Sequence, residues 1–267
     1  MTDGYGESPL AAYYGRGREH ARLSSRHGSV EFLTTMRFAE KYLFPGAKII
    51  EIGAGTGRYS LALAEAGFEV DAVELLDCNI EVFKENLRNE KRVRIAKGDA
   101  LDLSRFKSGS FDLTLLLGPL YHLYAEEDKR RAVSEALRVT RSGGTVFAAY
   151  CLSDAALIQT GFNEKGFGVA EYIAQGKINP DTFDTLSTEE DVFEIVRKED
   201  IDNLMKGFEA ERLHYVSTDL FTHYIGGAVD AMDDEEFELY LRYHFSVCER
   251  PDMAGISNHV LDIFRKN

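Results

Sequence analysis

The chain of 267 residues has few cysteines, no long apolar run and no basic track. Cys78, Cys151 and Cys248 are odd in number and widely spaced. They lack the close pairing of a zinc site or a disulfide framework, so no metal is expected. No stretch approaches the roughly 18 apolar residues of a membrane span, and the opening MTDGYGESPL lacks a basic region followed by an apolar one. A soluble, cytoplasmic protein with no membrane partner is expected. The net charge is −14, and the excess acid lies after residue 150, where 10 basic residues face 24 acidic ones. A nucleic-acid partner needs Lys and Arg to neutralise phosphates and is not expected. Arg16, Arg18, Arg22 and Arg26 read as a solvated helix face. Internal repeats and low-complexity linkers are also absent.

The 44% hydrophobic content is enough to fill one large domain. Residues 1–46 read as a helical N-terminal cap, with Phe32, Met36, Ala39 and Leu43 at helical spacing before a Pro-Gly stop. From 47 to 150 short apolar runs alternate with helical ones: KIIEIG, EVDAVEL, VRIAKG, FDLTLLLG and GTVFAAY are the strands. Such alternation predicts a doubly wound α/β core, a parallel sheet covered on both faces. Residues 151–207 read as an acidic helical insertion or lid, including STEEDVFEIVRKEDIDNLM. Residues 208–267 read as final strands, FEAERLHYVSTDL and SNHVLDIFRK, around a helical insertion at DDEEFELYLRYHFSVC.

The stretch IIEIGAGTGRYSLALAEAG is a strand, a glycine-dense turn and a helix start. Gly53, Gly55 and Gly57 permit positive φ and close approach of backbone to a ligand, and Thr56 is placed to cap the helix. The spacing is G-x-G-x-G, with Arg58 where a dinucleotide fingerprint has its third glycine, which argues against NAD or FAD. Glu74 ends the second strand, where a carboxylate can accept from both hydroxyls of a ribose. Asp99 follows the third strand. It can accept from the amino group of an adenine while the Ala100 amide donates to a ring nitrogen; the alternative is a plain turn residue.

Together EIGAGTGRYSLALA, VDAVEL, AKGDALDL, SFDLTLLLGPLYHL and LRVTRSGGTVFAAY resemble the successive motifs of class I S-adenosylmethionine-dependent methyltransferases. GPLYHL and SNHVLDIFRK resemble a bacterial small-molecule subgroup. The resemblance implies a Rossmann-like, seven-stranded, mostly parallel sheet whose last strand is antiparallel. It implies S-adenosylmethionine as cofactor and S-adenosylhomocysteine as product. Glu51, Gly53 and Gly55 would then contact the amino-acid end of the cofactor, Glu74 the ribose, Asp99 and Ala100 the adenine, and Leu117 and Gly118 the methionine portion. Ala54 and Leu75 complete the implied cofactor-binding set.

Methyl transfer is an in-line displacement that depends mostly on placing the nucleophile, with a base needed when the nucleophile arrives protonated. Tyr121 and His122, just past the fourth strand, are the catalytic candidates, His122 as base and Tyr121 as an active-site wall. Tyr13 or Tyr14 is expected to close over the site from the N-terminal segment. The expected partner is a small-molecule methyl acceptor at N, O or C, and the expected state is monomer or homodimer. The competing readings are a peptide or protein methyltransferase drawn to the acidic C-terminal segment, a non-catalytic S-adenosylmethionine-binding module, and a nicotinamide-dependent oxidoreductase.

Overall fold

The protein is described by a computed structural model over residues 8–15, 25–164 and 166–267. Arg16, Arg18 and Arg22 lie outside the described residues. Helix α1 (Pro9–Tyr14) opens on Ser8, whose hydroxyl accepts from the Ala11 amide at 3.2 Å. Helix α2 (Arg26–Glu40) opens in the same way on Ser25, which accepts from the Gly28 amide at 3.1 Å. Such caps satisfy amides that a helix start leaves without a partner.

The inward face of α2 differs from the expected apolar line. Val30, Thr34, Thr35, Phe38 and Ala39 are buried; Met36 is only partly covered, and Leu43 lies beyond the helix end. Phe32 turns instead toward Tyr59, at 5.1 Å between ring centroids, and toward the Arg58 guanidinium, at 4.3 Å. Thr34 tolerates burial because its hydroxyl donates to the Val30 carbonyl at 2.7 Å and lies 2.8 Å from His244 Nε2. A hydrophobic count cannot register a threonine satisfied in this way.

Strands β1 (Lys48–Ile52), β2 (Glu69–Glu74), β3 (Val93–Lys97), β4 (Phe111–Leu116) and β5 (Thr140–Leu152) pair in parallel. Helices α3 (Arg58–Glu65), α4 (Asp77–Leu87) and α5 (Glu126–Val139) supply crossovers. With β7 (Ala210–Ser217) and β8 (His259–Lys266), the order across the sheet is β3-β2-β1-β4-β5-β8-β7, and β8 is antiparallel to both neighbours. This is the expected doubly wound, seven-strand path, with an eighth, two-residue strand β6 (Ile195–Val196) paired to β5. One face of the sheet buries Ile50, Ile52, Val146 and Phe264; the other buries Ile49, Leu113, Phe147 and Ile263. Chain direction across the sheet reverses between β1 and β4, which opens a crevice at the carboxyl ends of the strands.

The acidic stretch expected to be helical is interrupted. It forms a 3-10 turn at Glu189–Asp191, then β6, then α8 (Lys198–Met205), where α6 is Ser153–Ala156 and α7 is Val169–Ala174. Asp191 captures the Thr188 amide and Lys177 Nζ, both at 2.8 Å, and Val192 takes φ 66°, which ends the turn. Helices α9 (Gly226–Ala231) and α10 (Asp234–Val247) lie between β7 and β8. No helix among the described residues is long and apolar enough to cross a membrane.

Candidate active site

The turn after β1 is built on its glycines. Gly53, Gly55 and Gly57 have φ of 77°, 55° and 91°, a region that side chains disfavour. A Cβ on Gly53 would stand 2.6 Å from Pro119 Cδ, and one on Gly57 would overlap the Phe83 ring. Gly57 itself occupies the position before α3, so Thr56 does not cap that helix. The left-handed turn needed there displaces the threonine by one position. Gly53 and Ala54 amides donate to the Val73 carbonyl at 2.9 and 3.0 Å, which locks the turn against β2.

Two buried carboxyls stand behind the turn. Glu74 accepts from the Gly55 amide at 2.8 Å on one oxygen, and from the Leu76 amide at 2.9 Å and Asn79 Nδ2 at 3.2 Å on the other. It thus joins the glycine turn to the start of α4, with Leu75 alongside. Asn79, in the first turn of α4, was not singled out from the sequence. Glu51 accepts from the Ser60 amide at 2.9 Å and from the Ser60 hydroxyl, on the first turn of α3. Burial pushes its carboxyl up to about 8, opposed by the two Ser60 bonds and reinforced by the charge on Glu74. At neutral pH Glu51 therefore holds a proton.

Asp99 accepts from the Leu101 amide at 2.9 Å, the local turn bond that was the alternative reading, and it also faces the cavity with Ala100. A carboxylate keeps further lone pairs for a ligand after one such bond. Leu117 and Gly118 end β4 back to back with the glycine turn: a Cβ on Gly118 would lie 3.4 Å from the Gly53 carbonyl. The Tyr121 hydroxyl donates to the Leu117 carbonyl at 3.0 Å. His122 lies 2.7 Å through Nδ1 from the Val192 carbonyl and 3.0 Å through Nε2 from the Tyr14 hydroxyl. A carbonyl only accepts, so Nδ1 carries the proton, and in the neutral ring Nε2 accepts from Tyr14.

Around this pair lies an aromatic cluster. The Phe193 ring is 5.2 Å from His122 and 5.1 Å from Tyr13, and Tyr121 is 4.8 Å from His122. Phe193 was not foreseen. It arrives because Glu194 pairs with Lys129 of α5 at 2.6 Å and the Glu194 amide donates to the Tyr121 carbonyl at 2.8 Å.

All twelve residues singled out from the sequence as catalytic or cofactor-binding line one cavity of about 570 Å³, together with Tyr14, Arg58, Tyr59 and Asn79. Arg58, which stands where a dinucleotide fingerprint has its third glycine, is one of these lining groups. Besides Glu51, the carboxylates of Glu74, Asp99, Asp128 and Glu189 line it against the guanidinium of Arg58. Such a field favours a cationic ligand. A glycine cradle that a Cβ would fill, a buried carboxylate at the end of β2 and an acidic wall suit an adenosyl sulfonium.

Residues 50–148 match the family model described as methyltransferase domain. Over 102 residues the chain is 31% identical to a glycine/sarcosine N-methyltransferase of Aphanothece halophytica, covering 37% of this chain and 38% of that one. It is 31% identical over 119 residues to a demethylmenaquinone methyltransferase of Clavibacter sepedonicus, covering 44% and 47%. The chain thus matches less than half the length of these relatives. Among solved structures, a SAM-dependent methyltransferase of Thermotoga maritima superposes with a TM-score of 0.58 at 21% identity, covering 95% of this chain and 98% of the other. The phosphoethanolamine N-methyltransferase 1 of Haemonchus contortus gives 0.60 at 13% identity, covering 99% and 50%. The fold is thus the one seen in solved SAM-dependent methyltransferases, and residues 50–148 match a methyltransferase domain.

Proposed function

We propose that this chain is a methyltransferase that moves the methyl group of S-adenosylmethionine to an N–H or O–H of a small-molecule acceptor. The observation that carries this reading is the Tyr14–His122 pair, at 3.0 Å, in the cavity that also holds the glycine turn and Glu74. Bound S-adenosylmethionine would supply an electrophilic methyl on a sulfonium and leave as S-adenosylhomocysteine. Glu74 would hold the ribose, Asp99 and Ala100 the adenine, and Glu51, Gly53, Ala54 and Gly55 the amino-acid end. Leu75, Leu117 and Gly118 would form the walls beside them.

The remaining work falls to the far end of the cavity. The Val192 carbonyl fixes the His122 tautomer, so Nε2 can take the Tyr14 proton while the Tyr14 oxygen takes one from the acceptor. Tyr121, tethered to the Leu117 carbonyl, acts as wall rather than proton carrier. The aromatic faces of Tyr13, Tyr121 and Phe193 would exclude water and favour a developing cation. We read residues 151–207 as the lid, since Phe193 and Glu189 come from that segment. A cavity of about 570 Å³ supports a small molecule over a peptide, and the name of one relative, a glycine/sarcosine N-methyltransferase, supports a nitrogen acceptor.

The test is methyl transfer to a panel of small amines and hydroxyl compounds, followed by Tyr14→Phe and His122→Asn on the best acceptor. The reading expects each substitution to lower kcat by about 10²–10⁴-fold, the ordinary worth of proton transfer by a positioned side chain, with S-adenosylhomocysteine affinity unchanged. Full kcat in both variants would remove the pair from the mechanism. Cofactor binding with no turnover across the panel would return the chain to the binding-module reading.

A further inference from the structure

The loop after β7 meets the start of β8 in a second cluster of chemistry-bearing side chains, separate from those lining the cavity. We propose that Asp219, His223 and His259, with Glu31 of α2, form a binding site for one first-row divalent metal ion, Zn²⁺ being the best match. One donor atom from each of the first three lies within 4.8 Å of the others.

The Asp219 carboxylate is fully buried, and its two oxygens have different work. Oδ1 accepts from the Ser257 hydroxyl at 2.6 Å and from the Asn258 and His259 amides at 2.9 and 3.3 Å. Oδ2 faces two imidazoles, at 2.8 Å from His259 Nδ1 and 3.1 Å from His223 Nε2. One oxygen is thus held by the backbone while the other is presented to a nitrogen pair, as outer hydrogen bonds orient a ligating carboxylate. Glu31 Oε2 stands 3.7 Å from His259 Nδ1 and brings a second carboxylate from α2. Behind His223 lies the His27 ring, 5.9 Å away between centroids and held by Asp230 at 2.7 Å.

Two imidazole nitrogens and two carboxylate oxygens make a four-donor set that zinc accepts. Tetrahedral zinc with bonds near 2.0–2.1 Å separates its donors by roughly 3.3 Å, close to the 2.8 and 3.1 Å at which Asp219 Oδ2 faces the two imidazoles, while Glu31 has to swing inward to complete the set. The competing description of the same atoms is two ring N–H groups sharing one carboxylate oxygen.

The sequence offered no sign of this set. These ligands are not closely spaced cysteines; they sit four residues apart across a turn and forty apart between the loop after β7 and the start of β8. An ion there would tie α2, the 218–225 loop and β8 together, so its binding energy would add to folding stability.

The experiment uses the full chain, stripped with a chelator and titrated with Zn²⁺, with metal content, the visible spectrum of the Co²⁺ form and Tm as readouts. The proposal expects one equivalent per chain at micromolar or lower concentration, d–d bands of tetrahedral Co²⁺, and a rise in Tm on adding Zn²⁺. Glu31→Gln and His223→Ala should each bind Zn²⁺ at least about ten-fold more weakly. Unchanged S-adenosylhomocysteine binding by the variants would mark them as folded; if His223→Ala fails to fold, Glu31→Gln decides. No saturable Zn²⁺ binding by the unaltered chain overturns the proposal, as does binding that the folded variants retain in full.

Discussion

Glu51 shows how burial changes the chemistry of a single residue. Its carboxyl is 1% exposed, and the Ser60 bonds only partly offset the loss of water. A carboxyl whose folded value of about 8 stands above the unfolded one favours folding below the unfolded value and loses that contribution as pH rises through the folded value. Glu51 should therefore contribute a loss of stability between about pH 4.5 and 8 on the order of a few kcal/mol. Glu51→Gln, which keeps an oxygen for the Ser60 amide, should flatten that slope in denaturant titrations across the range. An identical slope in the variant would mean that Glu51 is ionised in the fold. The residue's place behind the glycine turn was legible from its position in the motif, whereas its protonation depends on how completely α3 covers it.

At the scale of elements, the glycine turn joins β1, α3 and α4. Gly57 needs a left-handed backbone, and its missing Cβ makes room for Phe83, which is fully buried. Gly55 also has positive φ, but a Cβ there would meet nothing within 4 Å. Gly57→Ala should cost about 2–4 kcal/mol, combining backbone strain with overpacking, and Gly55→Ala only the strain, about 1 kcal/mol. Equal losses in urea unfolding would contradict the packing of α4 beneath the turn. The strand, turn and helix were each legible, because an apolar run followed by three glycines restricts the backbone locally. The partner Phe83 was not, since nothing local places one helix face under another turn. The same holds for Thr56, whose capping role went to Gly57, and for the acidic stretch near 190, where Asp191 and Val192 break a helix that composition alone favours.

For the whole molecule, the sheet order carries the function. The strand order turns back between β1 and β4, so the ends of these parallel strands and of β2 and β3 converge on one crevice, and the residues read from the motifs line one cavity there. That convergence was legible because each residue stands at a fixed step past its own strand. The other half of the site was not: Tyr14 and His122 are 108 residues apart, and Val192 reaches His122 over a separation of 70. Those contacts depend on how the segments near 10 and near 190 fold across the strand ends. No periodicity encodes that meeting.

The central claim is that this crevice holds S-adenosylmethionine through Glu74. Its most direct test is isothermal titration of the full chain with S-adenosylmethionine and S-adenosylhomocysteine, repeated on Glu74→Ala and Asp99→Ala. We expect micromolar binding of both ligands by the unaltered protein and at least about ten-fold weaker binding by each variant, since each loses hydrogen bonds from a charged acceptor worth about 1.5–3 kcal/mol. Absence of binding at millimolar ligand, or binding untouched by the loss of Glu74, would contradict the account.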